Sequence, residues 1–130
     1  MSKPTHEEIE TIITQHDVSA AAKLVTCASD FGDYLANTKK VTTTQIRNAY
    51  GSMKKLEMAG WNEQTAQGLL LLKPRLAYAA GRHKGGVKDL QEVISQAIDF
   101  VINTEDKKSF ERFCQFFEAI VAYHKCHGGK

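Results

Sequence analysis

Between Val87 and Asn103 the apolar residues Leu90, Val93, Ile94, Ala97, Ile98 and Val101 recur every three or four positions without interruption. That repeat fits an α-helix with one buried face. The same spacing returns along the chain. Ile9, Ile12 and Ile13 follow a capping box in which Thr5 precedes Glu8 by three residues, predicting a short helix to about His16. Leu24, Cys27, Ala28, Phe31 and Leu35 mark a second helix over Ser19 to Leu35, ended by the polar stretch Asn37 to Val41. Thr42 and Gln45 make another capping box, opening a helix with Ile46, Ala49, Tyr50, Met53 and Leu56 inward and ending near Gly60. Asn62 caps a helix through Leu69, Leu72, Leu76 and Ala80 to about His83, and Gly85-Gly86 ends it. Pro74 lies inside that segment and is expected to kink or restart the helix, because its ring offers no N–H to the carbonyl of Leu70. Phe110 to Lys125 is the last helix, with Phe113, Phe117, Ile120 and His124 as its spine.

The chain has two prolines in 130 residues, no alternating run of useful length and no Asn-Gly hairpin turn. The fold class is therefore all-α: one compact bundle of five to six helices over 1–130. Its longest apolar runs, Leu76 to Ala80 and Ala119 to Tyr123, are far too short to span a membrane. The polar N-terminal sequence has no signal core. Cys27, Cys114 and Cys126 show no CxxC pairing, which predicts reduced thiols in a cytoplasm, the first two as small core residues.

Positive charge is concentrated in the middle. Residues 47–88 hold eight Lys or Arg against two Glu, while both flanking stretches are mildly acidic and the whole chain is only +2. A phosphate backbone responds to such local charge. On a helical wheel Arg47, Gly51 and Lys54 share one stripe beside the apolar arc, with Lys55 further round toward solvent. Gly51 between two cations either lets a ligand backbone approach or is simply tolerated. Arg75 and Arg82 share a face with Tyr78 between them, a stripe suited to phosphate plus a base or ribose. The plainer alternative for each stripe is a solvated helix face. Lys84 sits in a glycine-flanked basic loop, which is not a GxxxxGK[ST] phosphate loop. The candidate binding residues are thus Arg47, Lys54, Lys55, Arg75, Arg82 and Lys84.

Chemistry finds no foothold. His124, Cys126 and His127 are ligand types near a terminus expected to fray, without the two paired spacings of structural zinc. No nucleophile–base arrangement and no carboxylate pair in an apolar setting stands out. The expectation is a non-enzyme with no cofactor, no metal and no catalytic residue. The last helix carries Phe110, Phe113, Phe116, Phe117 and Tyr123 over so wide an arc that it is either central to the bundle or in contact with another subunit.

Leu72-Lys-Pro-Arg-Leu-Ala-Tyr-Ala-Ala-Gly-Arg82, then Val87-Lys88-Asp89-Leu90, then Arg112-Phe113-Cys114 and Glu118 to Tyr123 together resemble one family. It is the small helical subunit of the type III-A CRISPR effector, the Csm complex. Thr43-Thr44-Gln45-Ile46-Arg47-Asn48 matches that family's entry to an Arg-bearing helix. The resemblance covers roughly 42–130, with 1–41 as a helical N-terminal part. It implies a non-catalytic, cytoplasmic subunit that stacks in several copies inside a ribonucleoprotein and serves antiviral defence. Its implied partners are guide RNA and target RNA, RAMP-type backbone subunits, the large signature subunit and neighbouring copies of itself, with no membrane. By position the resemblance points to Arg47, Arg75 and Arg82; Lys54, Lys55 and Lys84 come from wheel and charge. The competing reading is a helical protein–protein scaffold that docks an acidic partner without RNA. A helix-turn-helix DNA regulator ranks last, since no short sharp turn of that kind is visible.

Overall fold

Thr5 and Thr42 each receive the backbone N–H three residues on, and the Glu8 and Gln45 side chains return to the cap N–H groups, so both capping boxes form. Asn62 Oδ1 likewise takes the Thr65 N–H at 2.8 Å. These local bonds start three of the six α-helices in the computed structural model, which describes residues 3–83 and 85–130. In order they are α1 (His6–Thr14), α2 (Val18–Asp33), α3 (Thr43–Ala59), α4 (Glu63–His83), α5 (Gly86–Thr104) and α6 (Lys107–Cys126). There is no strand among the described residues. Two boundaries differ from expectation. α2 runs on into a π-helical turn, Tyr34–Thr38, rather than breaking at Asn37. α6 starts at Lys107, where Asp106 caps it through the Lys108 N–H.

Pro74 neither ends nor restarts its helix; α4 continues through it. The physical reason is where the lost bond falls. Pro74 and Leu70 both lie on the exposed side of α4, where a carbonyl that loses its helix partner faces solvent rather than a dry core.

α6 is the centre of the bundle. It packs against α1, α2, α3 and α5, and Phe113, Phe116, Phe117 and Ile120 are fully buried. Its apolar spine is thereby buried inside the molecule, while Ala119, Val121 and Tyr123 beside it are only partly buried. Tyr50 of α3 meets Phe117 edge-on at 5.6 Å, and Trp61 lies 5.3 Å from Phe110. α4 takes its packing from α3 and α5, with Thr65, Leu69, Leu72, Leu76 and Ala80 turned inward. Its outer flank is exposed at Leu71, Arg75, Tyr78 and Arg82.

The C-terminal end does not fray. His124 is buried, and its Nε2 donates to the Val41 carbonyl at 2.7 Å, fixing the proton on that nitrogen because a carbonyl only accepts. Gly129 lies against the imidazole ring so closely that a Cβ there would overlap it. Asn37 Nδ2 donates to the His127 carbonyl at 2.9 Å, tying the tail to the π-helical turn.

α2 and α6 cross at close range. A Cβ on Gly32 would sit 2.7 Å from the His124 nitrogen and 2.8 Å from the Tyr123 carbonyl carbon, both main-chain atoms. Gly51, by contrast, has open space where a Cβ would go. Gly32→Ala is expected to destabilise the fold by roughly 1–3 kcal/mol through overpacking. Gly51→Ala is expected to add about 0.5–1 kcal/mol by helix propensity. Denaturant unfolding of the two variants checks both signs. A Gly32→Ala protein as stable as the parent would mean that α2 and α6 do not cross there.

Candidate nucleic-acid interface

The basic centre of the sequence becomes two neighbouring helices, α3 and α4, joined by a short turn at Gly60 to Asn62. Gly68 allows Leu56 to lie directly on α4, so the two helices approach closely. Helical spacing then sorts the cations. Asn48, Ser52 and Lys55 lie on the α4 side of α3, whereas Arg47 and Lys54 lie on the opposite flank with Tyr50.

On the α4 side two hollows adjoin. One, of roughly 200 Å³, is lined by Gln45, Asn48, Ser52, Arg75 and His83 among others. The next, of roughly 250 Å³, is lined by Ser52, Lys55, Leu71 and Arg75 over a floor of Leu56, Gly68 and Leu72. Arg75 and Ser52 belong to both, so the two make one shallow groove along the helix pair. No carboxylate lines either hollow. Arg82 stands on the same α4 stripe as Arg75, two turns on, with Tyr78 between them. Lys55, Arg75 and Arg82 are exposed, and none has an ion-pair partner among the described residues.

Four lysines, by contrast, are paired with acidic groups. Lys54 reaches Glu57 at 2.9 Å; that hydrogen bond first, then the Glu57 charge and the Tyr50 phenol, raises its pKa above the ordinary lysine value. Burial, followed by the charge of Glu118, raises the Tyr50 pKa, which marks this α3 flank as acidic in company. Lys73 bonds Asp99 of α5 at 2.6 Å and so braces α4 rather than facing a ligand. Lys3 bonds Glu92 at 2.6 Å and reaches Asp89 at 3.4 Å, and Lys39 lies 3.8 Å from Asp89. The Glu92 bond raises the Lys3 pKa and depresses that of Glu92.

Of the six predicted cations, then, Lys55, Arg75 and Arg82 come together on one face. Arg47 is exposed and Lys54 half-buried on the other flank of α3, and Lys84 lies outside the described residues. The groove also uses Gln45, Asn48, Ser52 and His83, which sequence reasoning passes over. A wheel centred on the α4-facing arc of α3, rather than on its cations, picks out the first three.

The two histidines near the end of α6 are engaged in the fold, while Cys126 is exposed. His124 bonds Val41, and His127 Nε2 lies 3.1 Å from the Ser29 hydroxyl. Among the described residues no group of three or more His, Cys, Asp or Glu side chains gathers as a metal cage. No helix among them is long and apolar enough to cross a membrane.

Residues 18–130 match the protein-family model described as Csm2 Type III-A. The chain belongs to that family. The match starts at the first residue of α2 and so reaches further toward the N-terminus than the resemblance over 42–130. The chain is 32% identical over 106 residues to a Streptococcus thermophilus protein named "CRISPR system Cms protein Csm2", covering 76% of this chain and 78% of that one. It is 28% identical over 93 residues to a protein of the same name from Enterococcus italicus, covering 65% and 66% respectively. These matches bear out the resemblance to the type III-A small subunit drawn from the residues alone.

Burial pushes the Cys27 thiol up to about 11 and the Cys114 thiol up to about 12. Both are sealed in the core, whereas Cys126 is exposed. Alkylation of the native protein near pH 8 is therefore expected to label Cys126, with the other two reacting only after denaturation; mass spectrometry of the labelled peptides reads this out. Rapid labelling of Cys114 in the native state would contradict the packing of α6.

Proposed function

We propose that the chain acts as a non-catalytic small subunit of a type III-A CRISPR ribonucleoprotein, with the α3–α4 face meeting the backbone of guide or target RNA. Copies of the chain stack along the assembly beside RAMP-type backbone subunits and the large signature subunit, in the cytoplasm. The single observation that supports RNA contact is the contrast between cations. Lys55 and Arg75 line a groove that no carboxylate lines, and Arg82 stands exposed on the same α4 stripe as Arg75, while Lys3, Lys39, Lys54 and Lys73 are each paired with acidic groups. A cation already paired neutralises no phosphate until it gives up its partner. Unpaired cations on one face do so at no such cost. Contact through backbone rather than base edges suits a subunit that must accept any guide sequence.

The test compares Lys55→Ala, Arg75→Ala and Arg82→Ala with Lys73→Ala in the assembled complex, measuring target RNA affinity across a salt series. Each of the first three is expected to keep stability within about 0.5 kcal/mol and to lower the salt slope by about one for each phosphate no longer neutralised. Lys73→Ala is expected to leave the slope unchanged and to cost at most about 1 kcal/mol of stability. Should all four bind RNA like the parent, with the three groove variants instead losing a protein subunit from the complex, the face docks an acidic protein and the RNA reading falls.

A further inference from the structure

Tyr78 is 72% exposed on a helix whose inward positions are filled by Thr65, Leu69, Leu72, Leu76 and Ala80. Packing within the bundle gives no account of it. Its helical neighbours one turn away are Pro74 and Arg75 on one side and Gly81 and Arg82 on the other, and all four are exposed. Two of the four are guanidinium-bearing. The other two carry little or nothing beyond the main chain: Pro74 has only its compact ring, and even a Cβ at Gly81 would find open space. By helical spacing, the positions flanking Tyr78 are cationic along one edge of its stripe and carry little side chain along the other. Leu71, 67% exposed, continues the same stripe one turn before Arg75.

An exposed ring on a helix stripe with an arginine one turn before it and another one turn after it has the elements of a single-strand binding site: a stacking surface flanked by phosphate ligands. Arg75 and Arg82 start about 10 Å apart along the helix. A strand stacked at roughly 3.4 Å per nucleotide that reaches both leaves at least one nucleotide between the two phosphates. In a duplex the faces of the bases are covered by their neighbours, so a ring at this position has a base to receive only from an unpaired nucleotide.

We infer that Tyr78 is a stacking platform for one unpaired RNA nucleotide, its base lying on the phenol ring over Pro74 and Gly81 while Arg75 and Arg82 hold flanking phosphates. This rests on the RNA reading above and narrows it from backbone contact to a base-and-phosphate site. Stacking is tolerant of base identity, because every base has a π-face, so the site adds affinity without restricting the guide. The absence of carboxylates from the adjoining groove favours nucleic acid over a basic protein segment as the occupant.

The experiment uses the assembled complex and target RNAs carrying 2-aminopurine at one position at a time. Tyr78→Phe, Tyr78→Leu and Tyr78→Ala are compared with the parent. In the parent, fluorescence at one or more positions is quenched on binding. Tyr78→Phe keeps the quenching and the affinity. Tyr78→Leu and Tyr78→Ala lose the quenching and bind about 5- to 150-fold more weakly. Their salt slope stays that of the parent, since every phosphate-binding cation is still in place. If Tyr78→Ala matches the parent in quenching and affinity while Arg75→Ala still lowers the slope, the platform is wrong and phosphate binding stands. If the arginine variants also match the parent, both readings fall. If Tyr78→Leu behaves as the parent, or Tyr78→Ala sheds a protein subunit with RNA affinity intact, the ring contacts protein and the inference is overturned.

Discussion

The burial of one broad face of α6 sets where four of the other five helices lie. Phe113, Phe116, Phe117 and Ile120 are fully buried along one broad arc of α6, and α1, α2, α3 and α5 all pack against this one helix. Removing one such ring costs about 3–5 kcal/mol, a large share of the stability of a domain this size. Gly32 and the seated tail at His124 and Gly129 draw α2 and the start of α3 onto the same rod. With α6 enclosed on all these sides, α4 is left on the outside, held by α3 and α5. That peripheral position explains both the tolerance of Pro74 and the exposure of a whole flank carrying Leu71, Arg75, Tyr78 and Arg82.

Charge follows the same division. The lysines that pair with acidic groups do so between elements or along a helix face: Lys73 across to Asp99, Lys3 to Glu92, Lys54 to Glu57. Individually such exposed pairs contribute little, about 0–1 kcal/mol, but each removes a cation from the pool that an external anion meets. What remains on the α3–α4 face is a small set with no counter-charge along the groove. A net charge of +2 conceals this, because the acidic groups are gathered elsewhere.

Local signals are readable from the chain and non-local ones are not. Thr5 with Glu8, Thr42 with Gln45 and Asn62 with Thr65 act over three residues, and each forms as the sequence predicts. The helix count and the inward stripes follow from periodicity for the same reason. Pro74 does not end its helix because the cost depends on whether the Leu70 carbonyl faces solvent, a fact of tertiary burial. The tail closes over His124 because that side chain is held by Val41, and position 32 demands glycine because of main-chain atoms some ninety residues away in sequence. In the candidate site, Arg75 and Arg82 are legible as one stripe, being seven residues apart on one helix. That Lys55 rather than Lys54 shares their face depends on which side of α3 meets α4. The pairing of Lys54 with Glu57 has a local signal in its three-residue spacing; that of Lys73 with Asp99 has none.

The most direct measurement is ultraviolet cross-linking of the effector purified with its guide and bound target, followed by mass spectrometry of nucleotide-bearing peptides from this chain. Adducts are expected on the peptides spanning α3 and α4, above all on the stretch from Leu71 to Arg82, with the outer surfaces of α1 and α2 clean. Adducts confined to α1, α2 or α6, or a chain that co-purifies with the complex and carries none at all, would contradict the assignment of the RNA-facing surface.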